Sequence, residues 1–219
     1  MYIPAHFEPP RTELLFELMR ACPLATVVVN TAAGLSADHL PLLLRPEDGP
    51  GPGRLVGHVA RGNPLWRLAN PSVEVLAIFH GPEGYVSPNW YATKAETGKV
   101  VPTWNYAVVH THGVLRAIED VSWLRQLVTE LTDHHEQSQP KPWRVADAPA
   151  DFTESRLAAI VGIEIEITRL VGKWKLSQNQ PAENRRSVIE GLRNLGTASG
   201  QTMASWVEQA TQPSKPGPV

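Results

Sequence analysis

One cysteine, Cys22, stands in 219 residues. No disulfide framework can form within the chain, which fits a reducing compartment. Cys22 closes an apolar helical pattern and reads as a small core residue, not a nucleophile. Long hydrophobic runs are also missing. Runs such as Leu24 to Val29, itself broken by Thr26, fall far short of the roughly 20 apolar residues that span a bilayer. No excess of charge of one sign is present either: Lys plus Arg is 20, Asp plus Glu is 22, and the net charge is −2. Binding to nucleic acid by bulk charge needs a basic stripe, so that mode is excluded, while a small local patch is not. The first residues carry no basic region ahead of an apolar segment, so no signal peptide is expected and a cytoplasmic location is.

Catalytic and metal signatures are scarce. There is no HExxH and no cysteine cluster. His110 and His112 are two apart on a strand and share a face, but the next acidic residue is Glu119, so no metal site is expected. Asp38 and His39 are adjacent and face opposite ways, so they form no dyad. No Ser/His/Asp set stands out.

Hydrophobic residues make up 42% and charged residues 19%, which describes a globular chain. Proline is abundant, 20 residues, about twice the usual share of roughly 5%. The prolines lie between strand-like runs and punctuate loops. The 7 tryptophans concentrate in polar, loop-like stretches, where a flat side chain serves as a platform for a ligand or a partner subunit.

Periodicity predicts a helix over 11–22 and strands over 24–30, 35–44 (with Pro41 at an edge or bulge) and 54–60. Residues 46–53 read as a loop. A short helix is expected after Asn63-Pro64, and a strand over 73–80. A Pro/Trp/Tyr-rich loop is expected from Gly81 to Thr103, and a long strand from Asn105 to Ile118. A helix over 121–136 has Asp120 as its cap, and a short helix covers 151–158. Ile163, Ile165 and Ile167 alternate with Glu164, Glu166 and Thr168, the pattern of a strand with one wet face running on to Ser177. Pro181 opens a helix that stops at Gly196, and a last helix covers 201–210. Strands joined mostly by short connections predict an antiparallel barrel with peripheral helices, a mainly β (α+β) fold. One domain is expected over 1–210, with 211–219 as a disordered tail.

Three segments carry candidate chemistry. In Gly57-His58-Val59-Ala60-Arg61-Gly62-Asn63-Pro64 a strand ends in His58, Arg61 and Asn63 just before a helix, an arrangement suited to a phosphate monoester. The stretch Tyr85 to Lys94, with Val101 to Tyr106, is rich in Trp and Tyr with polar neighbours. It suits a planar heterocycle or a subunit interface. In Gly172 to Pro181, Lys175, Ser177 and Gln178 form a second anion or ligand-edge candidate, and Asn179 is placed to cap the following helix.

The strings MYIPAHFE, ADHLP, GHVARGNPLW, FHGPEGYVSPNWYATK, VPTWNY and KWKLSQNQ together resemble the PaiB family, FMN-binding negative transcriptional regulators. The resemblance runs from Met1 to about Leu195. It implies the FMN-binding split β-barrel, shared with pyridoxamine 5′-phosphate oxidases, and a homodimer with flavin at the subunit interface. It implies His58, Arg61 and Asn63 for the FMN phosphate. It implies Ser87, Trp90, Lys94, Thr103, Trp104 and Asn105 for ring or ribityl contacts, with Lys175, Ser177 and Gln178 beside them. The alternatives are a flavin-dependent oxidoreductase and a split barrel that binds or degrades haem, for which eight histidines are available. Helices at 181–195 and 201–210, joined by Gly196 to Gly200, resemble a helix-turn-helix only faintly. The second contains no Lys or Arg, so any regulation is expected to be indirect or to need a partner.

Overall fold

β-branched residues in Leu24–Thr31 favour extended backbone. The computed structural model describes residues 1–46, 51–68 and 73–211 and has seven strands among them. These are β1 (Leu24–Thr31), β2 (Gly34–Pro41), β3 (Leu43–Arg45), β4 (Arg54–Ala60), β5 (Glu74–Val86), β6 (Thr103–Ile118) and β7 (Ile160–Lys175). The helices are α1 (Thr12–Ala21), α2 (Lys94–Thr97), α3 (Val121–Glu136), α4 (Ala150–Ala158), α5 (Ala182–Asn194) and α6 (Ala198–Thr211). Short 3-10 turns at Pro64–Leu68 and Pro88–Trp90 follow the two proline-marked strand ends. Among the described residues no helix is long and apolar enough to cross a membrane.

The chain divides into two compact units. One comprises Met1–Leu15, His80–Val109 and Gly172–Val219, the other Phe16–Phe79 and His110–Val171.

The strands of the sheet lie in the order β2-β1-β5-β6-β7-β4-β3. β1 runs antiparallel to β2 and β5, and β4 runs antiparallel to β3 and β7. Only Leu42 separates β2 from β3, yet these strands are the two edges of the sheet. The sheet therefore curls until the end of β2 meets β4. Gly57 makes room for this: a Cβ there would stand 2.8 Å from the Pro41 carbonyl and 2.7 Å from the Leu42 side chain. The edges stay unpaired with each other among the described residues, so the barrel is split. Ala25, Val27, Val29, Ala77, Phe79, Ile163 and Ile165 fill its core.

α3 covers Val56 with Leu127 and Leu131. Asp120 caps it by accepting from the Trp123 amide at 2.7 Å, a contact worth about 1 kcal/mol. β7 does not have the fully wet face that its alternation predicts. Glu164 is buried, 3.6 Å from the Arg54 guanidinium. Cys22 is half-buried, and burial pushes its thiol up, away from the reactive thiolate.

In the first unit α5 and α6 pack as a pair, burying Val188, Ile189 and Leu192 against Met203, Ala204 and Val207. Here the sequence reading needs two corrections. The expected loop from Gly81 is strand as far as Val86, because Met203 and Leu192 pack within 3.2–3.3 Å of where a Gly84 Cβ would lie. Cover by the helices overrides the turn preference of Gly and Pro. Also, α6 starts at Ala198, not 201, because the Thr197 hydroxyl accepts from the Gly200 amide at 3.1 Å. Gly196, at φ +67°, ends α5 as expected. The turn between the helices is therefore Leu195–Thr197, shorter than the one read from sequence. Of the expected loop 46–53, residues 47–50 lie outside the described residues. So do 212–219 of the expected tail, while Thr211 closes α6.

Candidate functional site

β7 stops at Lys175 because Ser177 has φ +63°, in the left-handed region that side chains other than glycine rarely adopt. The Ser177 hydroxyl is buried and meets the buried Asn105 amide: Asn105 Nδ2 donates to Ser177 Oγ at 3.0 Å. Beside it, Lys175 Nζ donates to Thr103 Oγ1 and, at 2.9 Å, to the Trp104 carbonyl. Burial holds the Lys175 ammonium below the ordinary lysine range; Tyr106 opposes the shift and Lys173 adds to it.

α5 begins immediately after. Pro181 precedes it without a side-chain cap, which corrects the expectation that Asn179 caps this helix. Asn184, in the first turn, is buried. Its Oδ1 accepts from the Thr93 amide at 3.1 Å and its Nδ2 donates to Thr93 Oγ1 at 3.0 Å, which ties the helix start to the 91–101 segment.

These groups line a cavity of about 350 Å³. Two lysines, Lys99 and Lys175, face it, together with hydroxyls and amides, and no Asp or Glu is in the lining. Its chemistry is that of an anion site with neutral donors around it.

Of the residues singled out in the sequence, the structure brings Thr103, Asn105, Lys175 and Ser177 together here. The others in this unit make contacts within the chain. Gln178 is bound to its own strand end: its amide donates to the Trp174 carbonyl at 2.6 Å, and its Oε1 accepts from the Leu176 amide at 2.7 Å. Ser87 caps the Pro88–Trp90 turn, accepting from the Asn89 amide. Lys94 donates to the Asn89 side chain. Trp90 lies on Gly191, where a Cβ would come within 2.3 Å of its ring. Trp104 is exposed and stands edge-on to Tyr85, ring centres 6.0 Å apart. Lys99, Thr93 and Asn184 line the cavity, and sequence reasoning missed them. Thr93 lies in the aromatic stretch 85–94 and Lys99 between that stretch and 101–106, while nothing marked Asn184.

His58, Arg61 and Asn63 belong to the other unit. Arg61 is already engaged: it pairs with Glu119 at 2.6 Å and donates to the Ala158 and Ile160 carbonyls. Asn63 donates to Asp38 at 2.7 Å and accepts from the Leu65 amide at 2.8 Å, capping the short turn that follows. His58 Nδ1 is buried without a partner among the described residues, and desolvation pushes the imidazole below its ordinary value of 6.5. In the same unit His112 lies between Glu74 (Nδ1, 3.3 Å) and Arg169 (Nε2, 2.9 Å). Since the guanidinium can only donate, Nε2 carries the lone pair and Nδ1 the proton directed at Glu74.

Comparison with known proteins agrees with this fold. Residues 1–169 match the family described as "Putative FMN-binding domain". A protein of Emericella nidulans is 36% identical, with 95% of this chain and 97% of that protein covered. The protease synthase and sporulation protein PAI 2 of Bacillus subtilis is 32% identical over the same shares. Among solved structures, the FAD and heme binding protein of Mycobacterium smegmatis superposes with a TM-score of 0.56 at 20% identity, covering 77% of this chain and 73% of that one. The flavocytochrome Anf3 of Azotobacter vinelandii superposes with a TM-score of 0.56 at 13% identity, covering 79% and 72%. These structures share the split-barrel fold. By sequence, the chain belongs to the FMN-binding domain family that includes PaiB.

Proposed function

We propose that this chain binds FMN, and that the cavity beside the start of α5 takes the phosphate-bearing part of the cofactor. The observation that carries the reading is the charge of that cavity, two lysines and no carboxylate. The first-turn amides of α5 have no side-chain cap and add the positive end of a helix. The donor set therefore fits a phosphate monoester, with Thr103, Asn105 and Ser177 as neutral partners for hydroxyls or ring edges. Bound FMN supplies one- and two-electron redox chemistry. Lys99, Lys175 and the first-turn amides of α5 would hold the dianion. Because Arg61 and Asn63 are engaged within the chain, the proposal rests on the Lys175 group.

Regulation, as the PaiB resemblance implies it, is read as indirect. α6 contains no Lys or Arg, buries Met203, Ala204 and Val207, and pairs Glu208 with Arg193 at 2.8 Å. Such a helix has little to offer to base edges or phosphates. A homodimer fits the exposed Tyr85–Trp104 pair, an aromatic surface of the kind interfaces use; light scattering tests it.

The test of the cofactor reading is a titration of dialysed protein with FMN and with riboflavin. A charge-assisted contact is worth about 1.5–3 kcal/mol, so FMN is expected to bind at least about tenfold tighter than riboflavin. Lys175→Met is expected to remove most of that difference. Equal affinity for the two flavins, or no binding of FMN, overturns the proposal.

A further inference from the structure

Lys175 does more than supply a charge. Its amine is half-buried at the edge of a cavity whose lining holds a second lysine and no carboxylate. Lys173 lies two positions earlier on the same strand face. Lys173 itself is held over the rings of Tyr2 and Tyr106, at 6.0 and 5.4 Å. The uncapped start of α5, which also lines the cavity, adds a third positive element. Among the described residues that line its cavity there is no carboxylate, and burial together with the neighbouring Lys173 favours the neutral, nucleophilic amine. The downward direction of its titration agrees.

We propose that Lys175 is a carbonyl-reactive lysine and forms an imine with a phosphorylated aldehyde bound in this cavity. The proposal shares the cavity of the FMN reading and makes FMN a competitor for it. The phosphate goes to Lys99 and the α5 amides, and the aldehyde carbon faces Lys175. The neutral Nζ lone pair adds to that carbon. The resulting carbinolamine loses water, and a C=N bond replaces C=O. Both amine protons leave, with the carbonyl oxygen, as that water. Nothing is oxidised or reduced. Thr103 Oγ1, in hydrogen-bond contact with Nζ, is placed to pass protons during the addition.

The test treats the full-length protein with glyceraldehyde 3-phosphate, traps any imine with borohydride and maps the adduct by mass spectrometry. Lys175 is expected to be the dominant labelled residue, and unphosphorylated glyceraldehyde to leave it largely unlabelled. Lys175→Met is expected to lose the adduct. Lys173→Met, which retains the amine but removes a cationic neighbour, is expected to lower the rate of labelling several-fold. Thermal melts of both variants check that they fold. Label spread evenly over the lysines, or equal labelling by the two aldehydes, overturns the proposal. FMN is expected to protect Lys175 from label. Labelling at Lys175 without FMN protection sinks the cofactor reading and leaves this one standing. FMN binding with no adduct at Lys175 does the reverse.

Discussion

Asn105 and Ser177, 72 residues apart in the chain, close a buried hydrogen-bonded pair at the end of β7. Ser177 holds φ +63° there, and both side chains are almost completely buried. The pair sets where the strand ends and therefore where Lys175 faces the cavity. Two substitutions separate backbone strain from the hydrogen bond. Ser177→Gly and Ser177→Ala both remove the hydroxyl, but only glycine adopts the left-handed backbone without cost. Ser177→Ala is expected to be less stable than Ser177→Gly by about 1 kcal/mol in urea denaturation. Equal stabilities would show that the backbone relaxes to negative φ once the hydroxyl is gone.

Trp90 and Gly191 form a second tight relationship. A Cβ on Gly191 would lie 2.3–2.7 Å from the indole, which is closer than packed atoms stand. Gly191→Ala is expected to destabilise the protein by about 3 kcal/mol. Adding Trp90→Leu to that variant frees the space. The double variant is expected to be more stable than the sum of the single costs predicts, by more than about 1 kcal/mol. Additive costs would mean that the ring moves aside freely.

These two pairs show which parts of the fold the sequence makes legible. β4 spans 54–60, where a strand is expected from the sequence, and α3 carries its Asp120 cap and its Leu124, Leu127 and Leu131 face, because each signal is local. The extension of β5 through Gly81, Pro82 and Gly84 is not local. It depends on Met203 and Leu192, which arrive more than a hundred residues later. The site divides the same way. Thr103, Asn105, Lys175 and Ser177 stand out in two distant strings, and the fold joins them. Trp90 also stands out, but an aromatic side chain reads alike from sequence whether it faces a ligand or, as here, a glycine on a helix. Asn184 carries no sequence mark at all, since its role depends on where Thr93 lies.

Lys175→Met separates ligand binding from stability. Burial disfavours the charged amine in the folded state, so removing it relieves a penalty. The substitution also deletes the bonds to Thr103 and the Trp104 carbonyl, which acts in the opposite direction. The unfolding free energy is therefore expected to change by less than about 1 kcal/mol, while affinity for FMN falls. A large loss of stability would assign Lys175 a structural role.

Stability is expected to fall on mild acidification, and His58 is the cause. Desolvation lowers its folded-state value below the ordinary 6.5. A buried neutral imidazole must then compete with an unfolded chain that takes up a proton first. Above 6.5 neither state is protonated and the contribution is constant. As the pH falls through 6.5 the unfolded state binds more protons than the folded one, so stability declines until the folded value is reached. Glu74 is also shifted downward, chiefly by its hydrogen bond from Thr168, but its contribution is lost only below its ordinary 4.5. Between about pH 6.5 and 5 the slope is therefore a property of His58. Urea midpoints measured across that window are expected to drop for the native protein and to flatten in His58→Gln. A slope that survives the substitution assigns the proton uptake to another residue.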